Sequence, residues 1–278
     1  MTLTEIKSIL AQRGIQLTKS LGQNFMHDGN QIRRMVAAAE LRRGDRVLEI
    51  GPGLGPLTEV ILEHADQLLA IEKDHRLFEC LHARFDAKPG FQLRGGDALE
   101  FIRSEPQDWS GWKVVANLPY SVASPILVEL AATEFPPARI TVTLQREVAE
   151  RVAARANDDD YGVLSLLVQF RYEPADLFKI PAACFFPAPD VDSACVTLVR
   201  REVPLVDRDQ AALFARIVKR GFSQRRKMML KLLRQEWPDA AIKSAYEEAG
   251  LDAAQRAETV SLEQFATLTR RLAPLRKG

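Results

Sequence analysis

The tetrapeptide Asn117-Leu118-Pro119-Tyr120 has the most distinctive chemistry in this chain. It follows an apolar run, residues 113–116, that is typical of a strand buried on both faces. Open α/β sheets bind ligands outside the carboxyl ends of their strands, so the tetrapeptide is expected to face a substrate. The Asn117 side-chain oxygen and the Leu118 carbonyl could accept both N–H groups of an exocyclic amine. Pro119 fixes the backbone, and Tyr120 offers a ring on which a base can stack.

Such a pair of acceptors would act on the lone pair of the amine. The amino nitrogen of adenine shares its lone pair with the ring and is therefore a poor nucleophile. Acceptors that bind its N–H groups draw the lone pair back onto nitrogen, and they help most in the transition state, where the amine gains positive charge. The alternative is a plain strand-ending turn, because Asn and Pro are common turn formers. The tetrapeptide alone leaves both interpretations open.

A glycine-rich turn, Gly51-Pro52-Gly53-Leu54-Gly55, follows the predicted strand Arg46–Ile50 and precedes a helix. A strand, a glycine turn and a helix in this order are typical of nucleotide-binding α/β folds. Glu72 ends the next strand, at close to the roughly 20-residue spacing of the acid that binds ribose hydroxyls. Together these features indicate an adenosine-containing cofactor. The alternative for Glu72 is an ordinary acid before the helix that starts near Asp74.

Further strands carry two more candidate positions. Asp97 follows the strand near Phe91–Gly95 and could accept from an adenine amino group, although Asp is also a favoured helix N-cap. Strand-like runs at 176–180 and 193–201 are joined by a connection too short for a crossover helix, which predicts antiparallel pairing. That connection carries Phe185-Phe186-Pro187 and is expected at the rim near Asn117. Either phenylalanine could stack on a base, or it could pack within the hairpin.

The rest of the chain indicates a cytoplasmic enzyme without a metal site. The 278 residues carry a net charge of +1, three widely spaced cysteines and four scattered histidines, with no secretory leader pattern. Residues 205–278 are predicted to form a second, all-helical domain after a first domain at 1–204, with helices near 210–221, 223–236, 239–249 and 261–272. Lys219 to Arg234 holds seven basic residues and no acid. Such a run is either a solvated face or a phosphate-binding surface.

Six motifs follow one another along the chain. They are Gly22-Gln23-Asn24-Phe25, Glu49-Ile50-Gly51-Pro52-Gly53-Leu54-Gly55, Asn117-Leu118-Pro119-Tyr120, Gln145-Arg146-Glu147-Val148-Ala149-Glu150-Arg151, Phe185-Phe186-Pro187 and Phe222-Ser223-Gln224-Arg225-Arg226-Lys227. With these motifs the chain resembles the rRNA adenine N6,N6-dimethyltransferases that modify two adjacent adenines near the 3′ end of small-subunit rRNA, and the resemblance runs nearly end to end.

The resemblance implies a Rossmann-like seven-stranded methyltransferase sheet with a small all-α C-terminal domain, the same outline that the sequence pattern predicts. It implies S-adenosylmethionine as cofactor, immature small ribosomal subunits or their rRNA as partner, and RNA contact by the basic stretch Lys219 to Arg234. We expect a monomer that binds no membrane. The catalytic positions would be Asn117, Leu118, Pro119, Tyr120 and Phe185. The cofactor positions would be Asn24 and Met26 flanking the cofactor, Gly51 at its methionine portion, Glu72 at the ribose, Asp97 at the adenine amino group, and Asn117 between cofactor and target.

Two departures from the family pattern stand out. Met26 occupies a position that is usually leucine, a change that conserves apolarity and volume. The acidic turn Asn157–Asp160 stands where the family often has a basic turn, and we expect it to point away from RNA. Two other functions remain open. One is a large-subunit rRNA adenine methyltransferase, and the other is a ribosome-assembly factor that binds without catalysis.

Overall fold

The computed structural model describes residues 1–17, 22–104, 107–224 and 226–273. These residues divide into two compact units, one formed by Met1–Ala149 with Pro174–Arg200, the other by Glu150–Glu173 with Arg201–Gly278. The segment Glu150–Glu173 thus belongs to the second unit although it precedes residue 205 in sequence. The domain division at 204/205 stays a prediction. Among the described residues, no helix is both long and apolar enough to cross a membrane.

A seven-stranded sheet forms the centre of the first unit. The described residues form nine strands, which are β1 (Phe25–Met26), β2 (Arg46–Ile50), β3 (Gln67–Glu72), β4 (Phe91–Gly95), β5 (Trp112–Asn117), β6 (Arg139–Gln145), β7 (Tyr172–Ile180), β8 (Phe185–Phe186) and β9 (Ser193–Arg200). The sheet order is β4-β3-β2-β5-β6-β9-β7, with β9 antiparallel to β6. This confirms the predicted α/β class, and β7 and β9 are neighbours as expected.

Twelve α-helices accompany the strands in the described residues. They are α1 (Leu3–Gln12), α2 (Gly29–Ala38), α3 (Pro56–His64), α4 (His75–Phe85), α5 (Ala98–Ser104), α6 (Ala123–Ala132), α7 (Arg146–Ala153), α8 (Val163–Gln169), α9 (Ala211–Gly221), α10 (Met229–Leu233), α11 (Asp239–Ala249) and α12 (Leu262–Leu272). Side-chain caps fix several of their starts. Thr2 and Ser261 form capping boxes, while the carboxylates of Asp28 and Asp74 accept N–H groups of the first turn.

The register of the parallel strands brings the candidate residues to one edge of the sheet. Strands β2, β3, β4, β5 and β6 run parallel in neighbouring pairs. Buried residues follow one another along β2, β3 and β6, the pattern of strands covered on both faces. Gly51 follows β2, Glu72 ends β3 and Asn117 ends β5, and these three strands are neighbours in the sheet. Because parallel strands end at the same edge, the three residues lie there together.

The N-terminal segment joins this edge through a small two-stranded ribbon that the sequence did not indicate. Phe25 and Met26 in β1 pair antiparallel with Phe186 and Phe185 in β8. The segment around Phe185 was predicted to be an exposed loop between two hairpin strands. It is instead held by a partner 160 residues away in sequence, and this distant pairing has no local signature.

The second unit contains α8 to α12 and has its own aromatic core. Phe170 stacks on Phe214, and Phe222 stacks on Phe265. The hydroxyl of Tyr161 donates to the Val260 carbonyl. The predicted helix 223–236 is wrong in length, because α10 spans only Met229–Leu233. A run of basic residues precedes α10, and none of these basic residues has an acid three or four positions away in sequence. Ion pairs between successive helical turns therefore cannot stabilise a helix in that part of the chain.

Candidate active site

A cavity of about 160 Å³ opens at the carboxyl edge of the sheet. All six predicted cofactor positions line it, namely Asn24, Met26, Gly51, Glu72, Asp97 and Asn117. Apolar side chains, among them Leu57, Leu77 and Ile126, form much of the remaining wall. The structure therefore brings these six residues together, although they come from five separate stretches of sequence. The contacts assigned to each stay predictions.

The glycine turn shapes one wall of this cavity. Gly51 and Gly53 have φ values of +66° and +65°, a backbone conformation that favours glycine. A Cβ on Gly51 would lie 3.4 Å from Cδ of Pro119, so the turn passes close beneath the Asn117–Tyr120 tetrapeptide. The Gly53 N–H donates to Oε2 of Glu72 over 3.0 Å, which ties the turn to the end of β3.

Glu72 is buried at the cavity wall and accepts two backbone N–H groups. Besides Gly53, the N–H of Asp74 donates to its Oε1 over 2.8 Å. Burial raises the pKa of Glu72 to about 7, while these two hydrogen bonds oppose the shift. Asp74 is the N-cap of α4, and Glu72 accepts the N–H of this N-cap residue, so the alternative of an ordinary acid before the helix describes part of what Glu72 does.

A second buried acid in the cavity, Glu49, was not among the predicted site residues. It lines the cavity, is 1% exposed, and accepts a hydrogen bond of 2.7 Å from the hydroxyl of Thr58. Burial raises the pKa of Glu49 to about 8, and the neighbouring Glu72 adds to the shift. The available signal was an acid between Leu48 and Ile50 in the buried part of strand β2, since a fully buried Glu is rare without a partner.

The other acids at the cavity are fixed by cations and by helix starts. Asp97 accepts the Leu99 N–H at its Oδ1 and the Lys73 ammonium at its Oδ2, and the Lys73 contact lowers its pKa. The N-cap alternative therefore describes part of what Asp97 does. Asp74 accepts from Arg76 and from the Gln23 side chain, and the Arg76 contact holds its pKa at about 2. The Gln23 bond connects α4 to the N-terminal segment.

Asn117 ends β5 with both ends of its amide engaged. Its Nδ2 donates to the Asn24 carbonyl over 2.8 Å, and its Oδ1 accepts from the hydroxyl of Thr143. Pro119 lines the cavity with it, and the Leu118 side chain is buried. The hydroxyl of Tyr120 lies 2.6 Å from Oγ of Ser193. Leu118 and Tyr120 are not among the residues that line the cavity.

Phe185 is not among the residues that line the cavity, although it pairs with Met26, which is. Its ring is 2% exposed and packs in a hydrophobic cluster with Met26, Ile180 and Cys195. Phe185 therefore presents no open face to a base here, and the packing alternative describes it. Phe186 is more exposed, and the ammonium of Lys7 lies 5.2 Å from the centre of its ring.

The lining fits an adenosine-containing cofactor that carries positive charge. Glu49 and Glu72 are buried acids in a largely apolar cavity, so a cation there would favour their ionised forms. Glu72 keeps acceptor capacity on both oxygens beyond its two N–H donors. Gly51 and Gly53 both line the cavity, so a ligand there would lie against the backbone of the glycine turn.

Comparisons with known proteins show the family to which the chain belongs. Residues 14–274 match the family described as ribosomal RNA adenine dimethylase. The protein named ribosomal RNA small subunit methyltransferase A from Clostridium perfringens is 40% identical over 276 residues, covering 97% of both chains. The protein of the same name from Moorella thermoacetica is 38% identical over 275 residues, covering 95% of this chain and 96% of that one.

Solved structures support the same architecture. The crystal structure of the 23S rRNA methyltransferase ErmE matches with a TM-score of 0.69 and 28% identity, covering 90% of this chain and 100% of that chain. A dimethyladenosine transferase from Plasmodium falciparum matches with a TM-score of 0.71 over 88% of this chain and 96% of that chain. At 21% identity, the second match shows the fold alone.

Proposed function

The chain belongs to the ribosomal RNA adenine dimethylase family, and from that premise we propose that it dimethylates N6 of two adjacent adenines near the 3′ end of small-subunit rRNA. The methyl donor is S-adenosylmethionine, which supplies an electrophilic methyl group on its sulfonium when bound. The observation that carries the proposal is the position of Asn117. It lines the same cavity as Gly51 and Glu72, and it ends β5, the strand that lies between β2 and β6.

Some of these residues would bind the methyl donor, and others would activate the amine that accepts the methyl group. Glu72 would accept hydrogen bonds from the ribose hydroxyls, and Asp97 would accept one from the adenine amino group. Gly51 would allow the methionine portion of the cofactor to lie close to the backbone. Asn24 and Met26 would close the cavity from the N-terminal segment. These assignments rest on the way the six side chains surround one cavity.

The target adenine must leave its stack to reach the cavity edge. The Asn117 side-chain oxygen and the Leu118 carbonyl would then accept the two N–H groups of its amine, which draws the lone pair onto N6. Acceptors fixed in advance stabilise the charge that develops on nitrogen. Pro119 would hold the backbone of this pair, and Tyr120 would stack on the ring. Phe186 replaces Phe185 as the phenyl group we assign to the target base, because its ring is the more exposed of the two.

The test is methyl transfer from labelled S-adenosylmethionine to unmodified small ribosomal subunits, with the product identified by mass. We expect dimethyladenosine in the small-subunit rRNA, and we expect Asn117→Ala to lower turnover by at least 100-fold while cofactor affinity changes much less. Label in large-subunit rRNA alone would favour the large-subunit enzyme. Binding of subunits without any transfer would favour an assembly factor.

For RNA contact we propose the basic stretch Lys219 to Arg234 of the second unit. Arg220 pairs with Glu236 and Arg234 with Asp239, so part of their charge is already compensated. Arg225 lies outside the described residues. Among the described residues of this stretch, the exposed basic side chains that form no ion pair are those of Lys219, Arg226, Lys227 and Lys231. We assign phosphate contact to these four and expect one monomer to act on one subunit.

A further inference from the structure

Two buried hydroxyls of neighbouring strands contact the two polar side chains of the Asn117–Tyr120 tetrapeptide. Thr143 in β6 donates to Oδ1 of Asn117, and Ser193 in β9 lies 2.6 Å from the Tyr120 hydroxyl. Both Thr143 and Ser193 are fully buried, at 0% exposure. We propose that Thr143 and Ser193 are positioning residues for methyl transfer, which hold the amide of Asn117 and the ring of Tyr120 in the orientation that receives the target base. This inference rests on the proposed role of the tetrapeptide.

Strand register explains how both hydroxyls reach it. Thr143 is the register partner of Asn117 across the parallel pair β5–β6, so their side chains lie on the same face of the sheet. In the antiparallel pair β6–β9, Thr143 lies opposite Cys195 and Gln145 lies opposite Ser193. Positions two residues apart on a strand share a face. Thr143 and Ser193 therefore project from the same face, towards the carboxyl edge of β5.

The hydrogen bonds of Asn117 define which way its amide points. The Asn24 carbonyl can only accept, so Nδ2 must face Asn24. Oδ1 then faces Thr143, whose hydroxyl must act as donor. One lone pair of Oδ1 is thereby used, and the other is left for the amine of the substrate. Without the Thr143 hydroxyl the buried side of Oδ1 would have no donor, and the amide could rotate to find one.

At the other end, the Ser193 contact fixes the tyrosine ring. Burial raises the pKa of the Tyr120 hydroxyl, which therefore stays protonated at neutral pH and can donate to Ser193. A side chain held at its hydroxyl cannot swing about its Cα–Cβ bond, so the ring stays in the place where a base would stack on it. Buried hydroxyls generally have partners, so a merely structural role is the competing explanation. The choice between the two explanations requires a control with equal burial.

The chain offers that control two residues away on the same strand. Thr141 is also fully buried, and its hydroxyl bonds to that of Thr197 over 3.3 Å, among residues that do not line the cavity. We would compare Thr143→Val, Thr143→Ser and Thr141→Val in the labelled transfer assay. We expect Thr143→Val to lose about 10- to 100-fold in kcat, while its KM for subunits and its cofactor affinity stay within about 3-fold of wild type. Thr143→Ser should recover kcat, and Thr141→Val should keep the kcat of the wild type.

Ser193 is tested by a double-mutant cycle with Tyr120. If the hydroxyl contact is what positions the ring, Ser193→Ala, Tyr120→Phe and the double variant should lose kcat by the same factor, because each removes one and the same bond. Losses that multiply in the double variant would overturn the role of Ser193. Loss of kcat in Thr141→Val equal to that in Thr143→Val would overturn the role of Thr143.

A readout independent of activity separates this inference from the proposed function. The side-chain amide signals of Asn117, labelled with ¹⁵N, report its orientation in the cofactor-free protein. We expect them to shift or broaden in Thr143→Val and to keep their wild-type positions in Thr143→Ser and Thr141→Val. Unchanged signals in Thr143→Val would overturn the inference even in an active enzyme. If the wild-type protein methylates no subunit while the Asn117 signals still change in Thr143→Val but not in Thr141→Val, the proposed function is overturned and the contact by which Thr143 orients Asn117 is confirmed.

Discussion

A methyl group added at Gly53 should damage the cofactor cavity through one identified contact. An ideal Cβ there would lie 2.6 Å from Cε1 and 2.7 Å from Cδ1 of Phe25. Phe25 cannot easily move aside, because its ring is buried against Ile6, Leu10 and Leu77 in a hydrophobic cluster. Gly53→Ala must therefore displace either the glycine turn or strand β1, and both line the cavity.

The magnitude follows from comparison with a glycine of the same conformation. Gly14 has φ of +60° and no atom within 4 Å of its ideal Cβ, whereas Gly53 has φ of +65° and the Phe25 contact. A left-handed conformation costs an L-residue roughly 1–2 kcal/mol, and this term is shared by Gly14→Ala and Gly53→Ala. Overpacking a core costs typically 1–3 kcal/mol more. Gly53→Ala should therefore lower the free energy of unfolding by about 1–3 kcal/mol more than Gly14→Ala.

Equilibrium denaturation measures this difference, and calorimetric titration measures cofactor affinity. We expect Gly14→Ala to bind S-adenosylmethionine as wild type does. Gly53→Ala should bind at least 10-fold more weakly, because the displaced turn loses the Gly53 N–H bond to Glu72. In a Phe25→Leu background the extra destabilisation should shrink, since the offending ring is gone. Equal costs for the two alanine variants, or an unchanged cost without the ring, would refute the argument.

Three further predictions concern other parts of the chain. Burial raises the pKa of Glu49 from 4.5 to about 8, so the carboxyl ionises at lower pH in the unfolded state and the free energy of unfolding falls as the pH rises between these values. Glu49→Gln should abolish this fall, which amounts to about 3–5 kcal/mol, when denaturation curves at pH 5 and pH 8 are compared. Gly90→Ala should prevent soluble folding, because its Cβ would lie 1.9 Å from the Asp66 carbonyl oxygen, and recovery of a stable protein would contradict this. Lys227→Gln with Lys231→Gln should reduce the salt slope of rRNA binding by about 2, whereas Lys243→Gln, whose ammonium already pairs with Asp239, should not.

Sequence reasoning located the sheet because each strand carried its own evidence. Runs such as Arg46–Ile50 and Ile140–Leu144 are rich in Val, Ile and Leu over a length that suits a buried strand, and the observed strands lie within a few residues of the predicted ones. Three of the cofactor positions could be predicted for a related reason. The carboxyl ends of parallel strands share one edge of the sheet, so the sequence pattern alone places Gly51, Glu72 and Asn117 together.

Residues whose role depends on a neighbouring strand could not be found in this way. Thr143 is one of several buried threonines in β6 and β9, and only the register of β5 against β6 distinguishes it from Thr141. The burial of Phe185 could not be predicted for a similar reason. A phenylalanine two residues before a proline is equally compatible with a rim position and with a core position, and the pairing of β8 with β1 decides between them.

The N-terminal segment shows where the limit of sequence reasoning lies. Its residues line the cavity, and the Gln23 side chain bonds to Asp74, a contact between polar residue types that a sequence can at least suggest. The contact that orients Asn117 is of another kind, because it is made by the backbone carbonyl of Asn24. Every residue has such a carbonyl, so no residue type could indicate which one faces the amide. The sequence can therefore name the side chains of a site, while the orientation of a central amide depends on backbone that only the folded chain brings into place.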